Sequence, residues 1–220
     1  MEKEVTVCTK TVGQILQEKI NIPDYQRIYC WQDKNVFQLL DDIWSLEKSQ
    51  IYHLGSIILQ DDIINNENVL NIIDGQQRLV TLSLIFQALN DDSSPLLRQE
   101  IKSSEAIEYI AYNKFLINTY IKRYKLSDEK KIQKVKILKE SLKLTVLTLK
   151  SSALDLAYTF FSNQNKQGVP LTNYDLLKSH HLRFIKDELW AKHLAQKWDA
   201  IIKESDEAKP RNCQLLWIEV

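Results

Sequence analysis

The sequence predicts an α/β fold of the α+β kind, a small sheet with helices followed by a mainly helical lobe. Three observations lead there. Two short apolar runs, Leu54 to Leu59 and Val69 to Ile73, flank a polar stretch rich in Asp and Asn, as two strands joined by a loop would. The second run passes through Asp74-Gly75 straight into a long apolar segment of helical spacing. Later, Leu142 to Leu149 places Leu, Thr and Val in near alternation between segments that carry helical stripes.

Taken in order, Val12 to Ile20 reads as an amphipathic helix leading into an extended Asn21 to Arg27, since Pro23 biases Ile22 away from helix. Asp33 reads as the N-cap of a helix to about Lys48, with Phe37, Leu40 and Trp44 inside and Asp41, Asp42 and Glu47 outside. After the two strands, Gln76 to Leu89 is apolar nearly all round, which predicts a buried helix whose N-terminus is its accessible end. Asp91 to Pro95 is the best internal boundary, dividing a lobe of residues 1–92 from a mainly helical lobe of residues 93–220. Helices follow at Ala106 to Tyr124 and Ser127 to Glu140, the latter with a stripe of Ile132, Val135 and Leu138. Beyond the strand at Leu142 come a helix over Ala153 to Phe161 and a polar turn, Asn163 to Gly168. Thr172 with Asp175 resembles a capping box for a helix to about Ile185. The last helix spans roughly Glu188 to Lys203, with Trp190, Leu194, Trp198 and Ile201 as its stripe.

Composition narrows the function classes. Of 220 residues, 44% are hydrophobic and 26% charged, and only four Gly and four Pro leave little room for low-complexity linkers, so the chain should fold. Net charge is zero, so the molecule as a whole is not drawn to DNA or to an anionic membrane. No run approaches the ~20 apolar residues of a membrane helix, and the acidic N-terminus lacks the apolar core of a secretory signal. Cys8, Cys30 and Cys213 are far apart with no metal spacing, which predicts reduced thiols in a cytoplasmic protein.

The junction at Asp74 carries the chemistry. A strand that turns directly into a buried helix aims backbone N–H groups and the helix dipole at one spot, which favours an anion. Gly75 allows close backbone approach, Arg78 in the first turn offers a bidentate fork for phosphate oxygens, and Gln76 and Gln77 are neutral donors. Asp74 repels phosphate unless it holds Mg²⁺, orients a water or caps the helix. On spacing alone, a tight turn with a capped helix and a solvent-exposed arginine is an equally simple account.

Four ordered blocks then resemble the N-terminal domain of GmrSD restriction endonucleases. They are Ile22 to Arg27 with Trp31, His53 to Gln60, Ile72 to Leu82, and Phe161 to Lys178 with its Asn165, Gly168, Asp175 and Lys178. The resemblance implies a ParB/sulfiredoxin-like fold and nucleotide binding and hydrolysis within a prokaryotic system that restricts foreign DNA. It implies that Asp74, Gly75, Gln76, Gln77 and Arg78 form the nucleotide-phosphate site, with Asp74 and Arg78 as the catalytic pair. It further implies that Asp24, Tyr25, Gln26 and Arg27 line the same cleft, that Asn165 contributes to the nucleotide site, and that Asp175 and Lys178 line it. The family commonly has a basic residue just before the glycine of the last block; here Gln167 stands there, which points to weaker turnover.

Other constellations carry less. Tyr25 to Trp31 puts aromatics beside Arg27, suited to stacking a base or equally to a buried strand. Lys122 to Lys150 holds ten Lys or Arg against three acids, a surface for DNA phosphates or a solvated helix face. His180 and His181 are adjacent, so both rings cannot reach one metal from a helix, and Asp175 with Lys178 is spaced to pair. The sequence reading is thus a cytoplasmic nucleoside triphosphatase domain using GTP, ATP or CTP with Mg²⁺, Asp74 being the metal ligand. It should not be a nuclease by itself, so a nuclease domain or subunit is expected downstream or in trans. The abrupt end at Trp217 to Val220 predicts a piece of a longer protein. Two rivals stand beside it: a non-catalytic DNA-recognition or sensor module using the same cleft, and a degenerate domain that is only a structural partner.

Overall fold

The computed structural model describes residues 5–64, 67–101, 103–150, 173–182, 185 and 187–207. The chain divides into two compact units, one of residues 1–23 and 28–170, the other of residues 24–27 and 171–220.

The first unit is a mixed five-stranded sheet with helices, the α/β class that the sequence predicts. Its strands are β1 (Val5–Thr11), β2 (Ile20–Asn21), β3 (Tyr52–Ile64), β4 (Glu67–Asp74) and β5 (Leu142–Lys150), in the spatial order β1-β5-β3-β4-β2. β5 runs antiparallel to β1 and parallel to β3, while β4 is antiparallel to β3 and parallel to β2. The alternation read at Leu142 is this strand: Leu142, Leu144 and Val146 are buried, and Lys143 and Thr145 between them are not.

The helices of this unit are α1 (Val12–Ile15), α2 (Asp33–Trp44), α3 (Gln76–Ala88), α4 (Ser104–Lys122) and α5 (Asp128–Ser141), with a 3-10 turn at Pro95–Arg98. α3 is buried nearly all round, its Leu79, Leu82, Ile85 and Phe86 sealed in the same core as Ile57, Leu59 and Ile72 of the sheet. Burying such side chains contributes about 1.5–3 kcal/mol each, so this helix is fixed by packing rather than by propensity.

Several elements differ from the sequence expectation, each for a physical reason. α1 is one turn, capped by Thr11 and Gln14 in a reciprocal box, because Ile20 and Asn21 leave to pair with Leu70 and Asn71. That short pairing is held by polar side chains: Asn21 Nδ2 donates to Asn71 Oδ1 (2.8 Å) and Asn71 Nδ2 to Asp62 Oδ2 (3.0 Å). The N-cap of α2 is Gln32, and Asp33 sits one residue inside, accepting from the Lys34 amide at 2.8 Å. The inner face of α2 is Val36, Leu39, Leu40 and Ile43; Phe37 and Trp44 are partly buried beside it. β3 and β4 extend through most of the polar stretch read as a loop, since ladder hydrogen bonds do not require apolar side chains. In α5, Leu138 is buried but Ile132 is exposed, so the stripe narrows to its C-terminal end.

Just before Asp91 to Pro95, where the sequence reading sets its internal boundary, α3 ends. Asn90 there takes a positive φ of 67° and ends α3, while β5 returns to the sheet between β1 and β3. The turn chemistry marks a helix end, and the division between units falls at residues 170 and 171 and around residues 24–27.

In the second unit, α6 (Asn173–Leu182) and α7 (Glu188–Glu207) pack together. Leu182 and Ala195 are buried, whereas Trp190 and Ile201 of the expected stripe are exposed. Lys178 is buried and its ammonium meets both oxygens of Asp199, at 2.7 and 2.8 Å. Asp199→Ala leaves that ammonium without its acceptor and is expected to destabilise the protein by about 2–3 kcal/mol in urea unfolding. A midpoint equal to wild type would show the pair contributes nothing. The expected helix at Ala153, the polar turn after it and the capping residue Thr172 lie outside the described residues.

Candidate phosphate-binding site

At the end of β4, Asp74 lies in register with Ile58 and the chain reverses at Gly75 into α3. Gly75 is the N-cap of α3 and has φ 97° and ψ 4°. A side chain there faces two obstacles. The left-handed backbone disfavours it, and a Cβ would stand 2.4 Å from Ile57 Cγ2, far inside contact distance. The ladder of α3 opens with the Leu79 amide donating to Gly75 O at 3.0 Å, so the amides before it lie outside the ladder at the positive end of the helix. The N-cap position is this glycine, which has no side chain to cap with.

Arg78 lies half-buried beneath a deformation of β3. The register of β3 against β5 shifts between His53 and Ser56, and Gly55 within that bulge has φ 97°. A Cβ at Gly55 would lie 3.6 Å from Arg78 Nη1, so the guanidinium lies against the side of the bulge where glycine has no side chain. Arg78 Nη1 donates to Ser56 O at 3.2 Å, the backbone oxygen that the bulge presents. The bulge is pinned by His53: Gly55 N–H donates to Nδ1 (3.2 Å), and Nε2, carrying the hydrogen in this neutral tautomer, donates to Thr145 Oγ1 (2.9 Å). Burial pulls the Arg78 pKa below its usual value, and the nearby Asp74 carboxylate and Tyr52 partly offset this. Burial likewise raises the Tyr52 phenol, reinforced by its hydrogen bond with Asp42 and by that carboxylate's charge. The guanidinium is therefore a fixed charge at the edge of the interior, not the solvent-exposed arginine of the simple-turn account.

Gln76 and Gln77 are both buried. Gln77 Oε1 accepts from the amides of Cys30 (2.9 Å) and Trp31 (3.2 Å), and its Nε2 donates to Ile28 O (2.9 Å). A second set of bonds converges on the same segment. Asn113, wholly buried on α4, donates through Nδ2 to Trp31 O (2.7 Å) and to Tyr29 Oη (2.9 Å). Tyr29 meets Thr81 Oγ1 at 2.7 Å, and Thr81 donates to Gln77 O at 2.8 Å. Because Thr81 spends its hydrogen on Gln77 O, Tyr29 is the donor in their bond, and the series runs one way from Asn113 to the main chain of Gln77. Burial pushes the Tyr29 phenol up to about 12, which keeps that hydrogen in place at neutral pH.

The structure thus brings Asp74 to Arg78 together at one strand end. Asp24, Tyr25, Gln26 and Arg27 cluster with the second unit, as does Lys178 with its Asp199 partner. Asn165 and the side chain of Asp175 lie outside the described residues. Of the basic segment, Lys134 donates to Trp44 O and Leu46 O, Lys139 pairs with Asp91, and Lys131 lies 3.5 Å from Asp128, so some of its charge serves the fold. His181 faces Trp198 with ring centroids 6.2 Å apart. Sequence reasoning gave no role beside Arg78 to Tyr52, Gly55 or Ser56, and none around Gln77 to Thr81 or Asn113; of the two uses it offered for the aromatics of residues 25–31, Tyr29 takes the buried one. Gly55 had a signal, an isolated glycine inside a strand pattern, which marks a bulge or close approach; Asn113 had none.

Among the described residues, no group of three or more His, Cys, Asp or Glu is placed to hold a metal ion, and no helix is long and apolar enough to cross a membrane. A family model described as the GmrSD restriction endonuclease, N-terminal domain, matches residues 11–182, most of the chain. No curated protein matches it.

Proposed function

Because the chain belongs to the GmrSD restriction endonuclease N-terminal domain family, which places it in a restriction or defence protein, we propose that its Asp74 to Arg78 turn binds and hydrolyses a nucleoside triphosphate. The observation that supports this most is Arg78: a half-buried cation with one donor used by Ser56 O, set beside the opening amides of α3. A fixed guanidinium and helix amides are the kind of preorganised charge that phosphoryl transfer needs. ATP, GTP and CTP are the candidate ligands. DNA and a nuclease, downstream or in trans, are the partners the family suggests, and the exposed lysines of residues 122–150 are the surface proposed for DNA.

Mg²⁺ fits this site in one way only. The described residues build no protein cage for a metal, but Mg²⁺ commonly takes one or two carboxylates and completes its shell with phosphate oxygens and water. Asp74 would be that carboxylate. When bound, the ion would neutralise charge on the phosphate oxygens. The chain's own residues do the rest: Arg78 and the α3 amides hold the phosphates, Gly75 makes the tight turn against Ile57 that opens the helix, and Asp74 orients the attacking water.

Calorimetry with ATP, GTP, CTP and UTP in the presence of Mg²⁺, followed by phosphate release, tests the proposal. Heat with at least one triphosphate and steady release are expected. Heat without release would leave a sensor, and no heat from folded protein would end the nucleotide reading. Asp74→Asn separates the roles of Asp74. Removing its charge is expected to leave binding equal or tighter, while single-turnover release slows by about a hundredfold or more, the range of a lost acid–base group. Unchanged release would reduce Asp74 to a strand terminus.

A further inference from the structure

We propose that Gln77 is a positioning residue, whose carboxamide locks Ile28 to Trp31 onto the first turn of α3 and which acts on a bound phosphate only through that brace. This rests on the nucleotide reading above and gives Gln77 a different role from the other four residues of the turn.

A carboxamide has two acceptor lone pairs and two N–H donors. In Gln77 both acceptor places are filled by the Cys30 and Trp31 amides, and one donor is committed to Ile28 O. The side chain is buried, so turning it toward a ligand would strand three main-chain groups at once. The main chain of Gln77 is gripped as well, because the one-way series from Asn113 through Tyr29 and Thr81 ends on its carbonyl. Asn113 closes the loop by holding Trp31 O from α4. Its orientation is fixed by that contact, since a carbonyl accepts only from the amide nitrogen. Two helices therefore clamp one extended strip, and the strip in turn fixes the turn of α3 from which Arg78 projects, one residue after Gln77. Gln76 and Gln77 look interchangeable in the motif. The second is spent on the scaffold.

The test uses the full chain and two readouts: amide hydrogen exchange at Cys30 and Trp31, and the dissociation constant for whichever common triphosphate binds tightest with Mg²⁺. Gln77→Ala is expected to speed exchange of both amides and to weaken triphosphate binding, each by about tenfold or more. Asn113→Ala, at a position proposed to act only from α4, is expected to move both readouts the same way. The double variant should lose little beyond the worse single, because both changes break one brace. Weakened binding with both amides still protected would make Gln77 a ligand donor and overturn the proposal. So would full additivity, or rapid exchange with unaltered affinity. Should Gln77→Ala fail to fold, Asn113→Ala and Thr81→Val carry the same comparison. No heat with any triphosphate in the wild type would remove the nucleotide reading itself, and this role with it.

Discussion

Arg78→Ala is expected to weaken triphosphate binding by about two to four orders of magnitude while leaving a folded protein. Two charge-assisted hydrogen bonds to phosphate are each worth about 1.5–3 kcal/mol, and tenfold in affinity is about 1.4 kcal/mol. The fold should tolerate the change because Arg78 stabilises little by itself. Its burial already lowers its pKa, a sign that the charged form is held at a cost, and its bond to the main chain is a single one, to Ser56 O. Arg78→Lys keeps the charge but not the fork, and should recover only a fraction of the affinity. Calorimetry gives the affinities, and urea midpoints within about 1 kcal/mol of wild type confirm the fold. Full affinity in Arg78→Ala would detach the arginine from the site.

Gly75→Ala is expected to produce the largest loss of stability, about 3–5 kcal/mol. Two independent penalties add: the left-handed backbone at φ 97°, and a methyl group placed 2.4 Å from Ile57 Cγ2. Ile57 is itself fully buried in β3 and has nowhere to retreat. The thermal midpoint should fall by about 10 °C or more for a chain of this size. Gly55→Ala makes the contrast, since its Cβ would meet Arg78 at an ordinary 3.6 Å and only the backbone conformation resists. A drop there of about 1–2 kcal/mol is expected. Equal midpoints for Gly75→Ala and wild type would mean that β3 and α3 separate readily at the turn.

What the sequence made legible was local and periodic. The strand–turn–helix at Asp74 could be read because apolar runs, a glycine and a buried helix are contiguous in the chain, and α3 and β5 lie close to where their patterns place them. The role of Gln77 could not be read this way. Its partners are 46 to 49 positions away, and Asn113 is 82 from Trp31, so nothing in the local pattern announces them. The bulge at Gly55 was hidden for a related reason. A glycine in a strand shows that something approaches it, but not that the visitor is the distant Arg78. At Asp91 the local pattern is ambiguous in another way, since turn residues are the same whether a helix ends or a domain does.

The sheet order has a consequence for how the chain is made. β5 lies between β1 and β3, so the first strand has its hydrogen-bonding partner only after residue 142 has been synthesised. At translation speeds of about 5–20 residues per second, β1 waits several seconds or more with both edges open. The hairpin of β3 and β4 can form meanwhile, but one edge of β3 stays unoccupied too. A polypeptide released before Lys150 would carry an unfilled slot one strand wide, the sort of edge that recruits other chains. The inner edges of β1 and β3 are therefore covered late and together, when β5 pairs with strands made long before it.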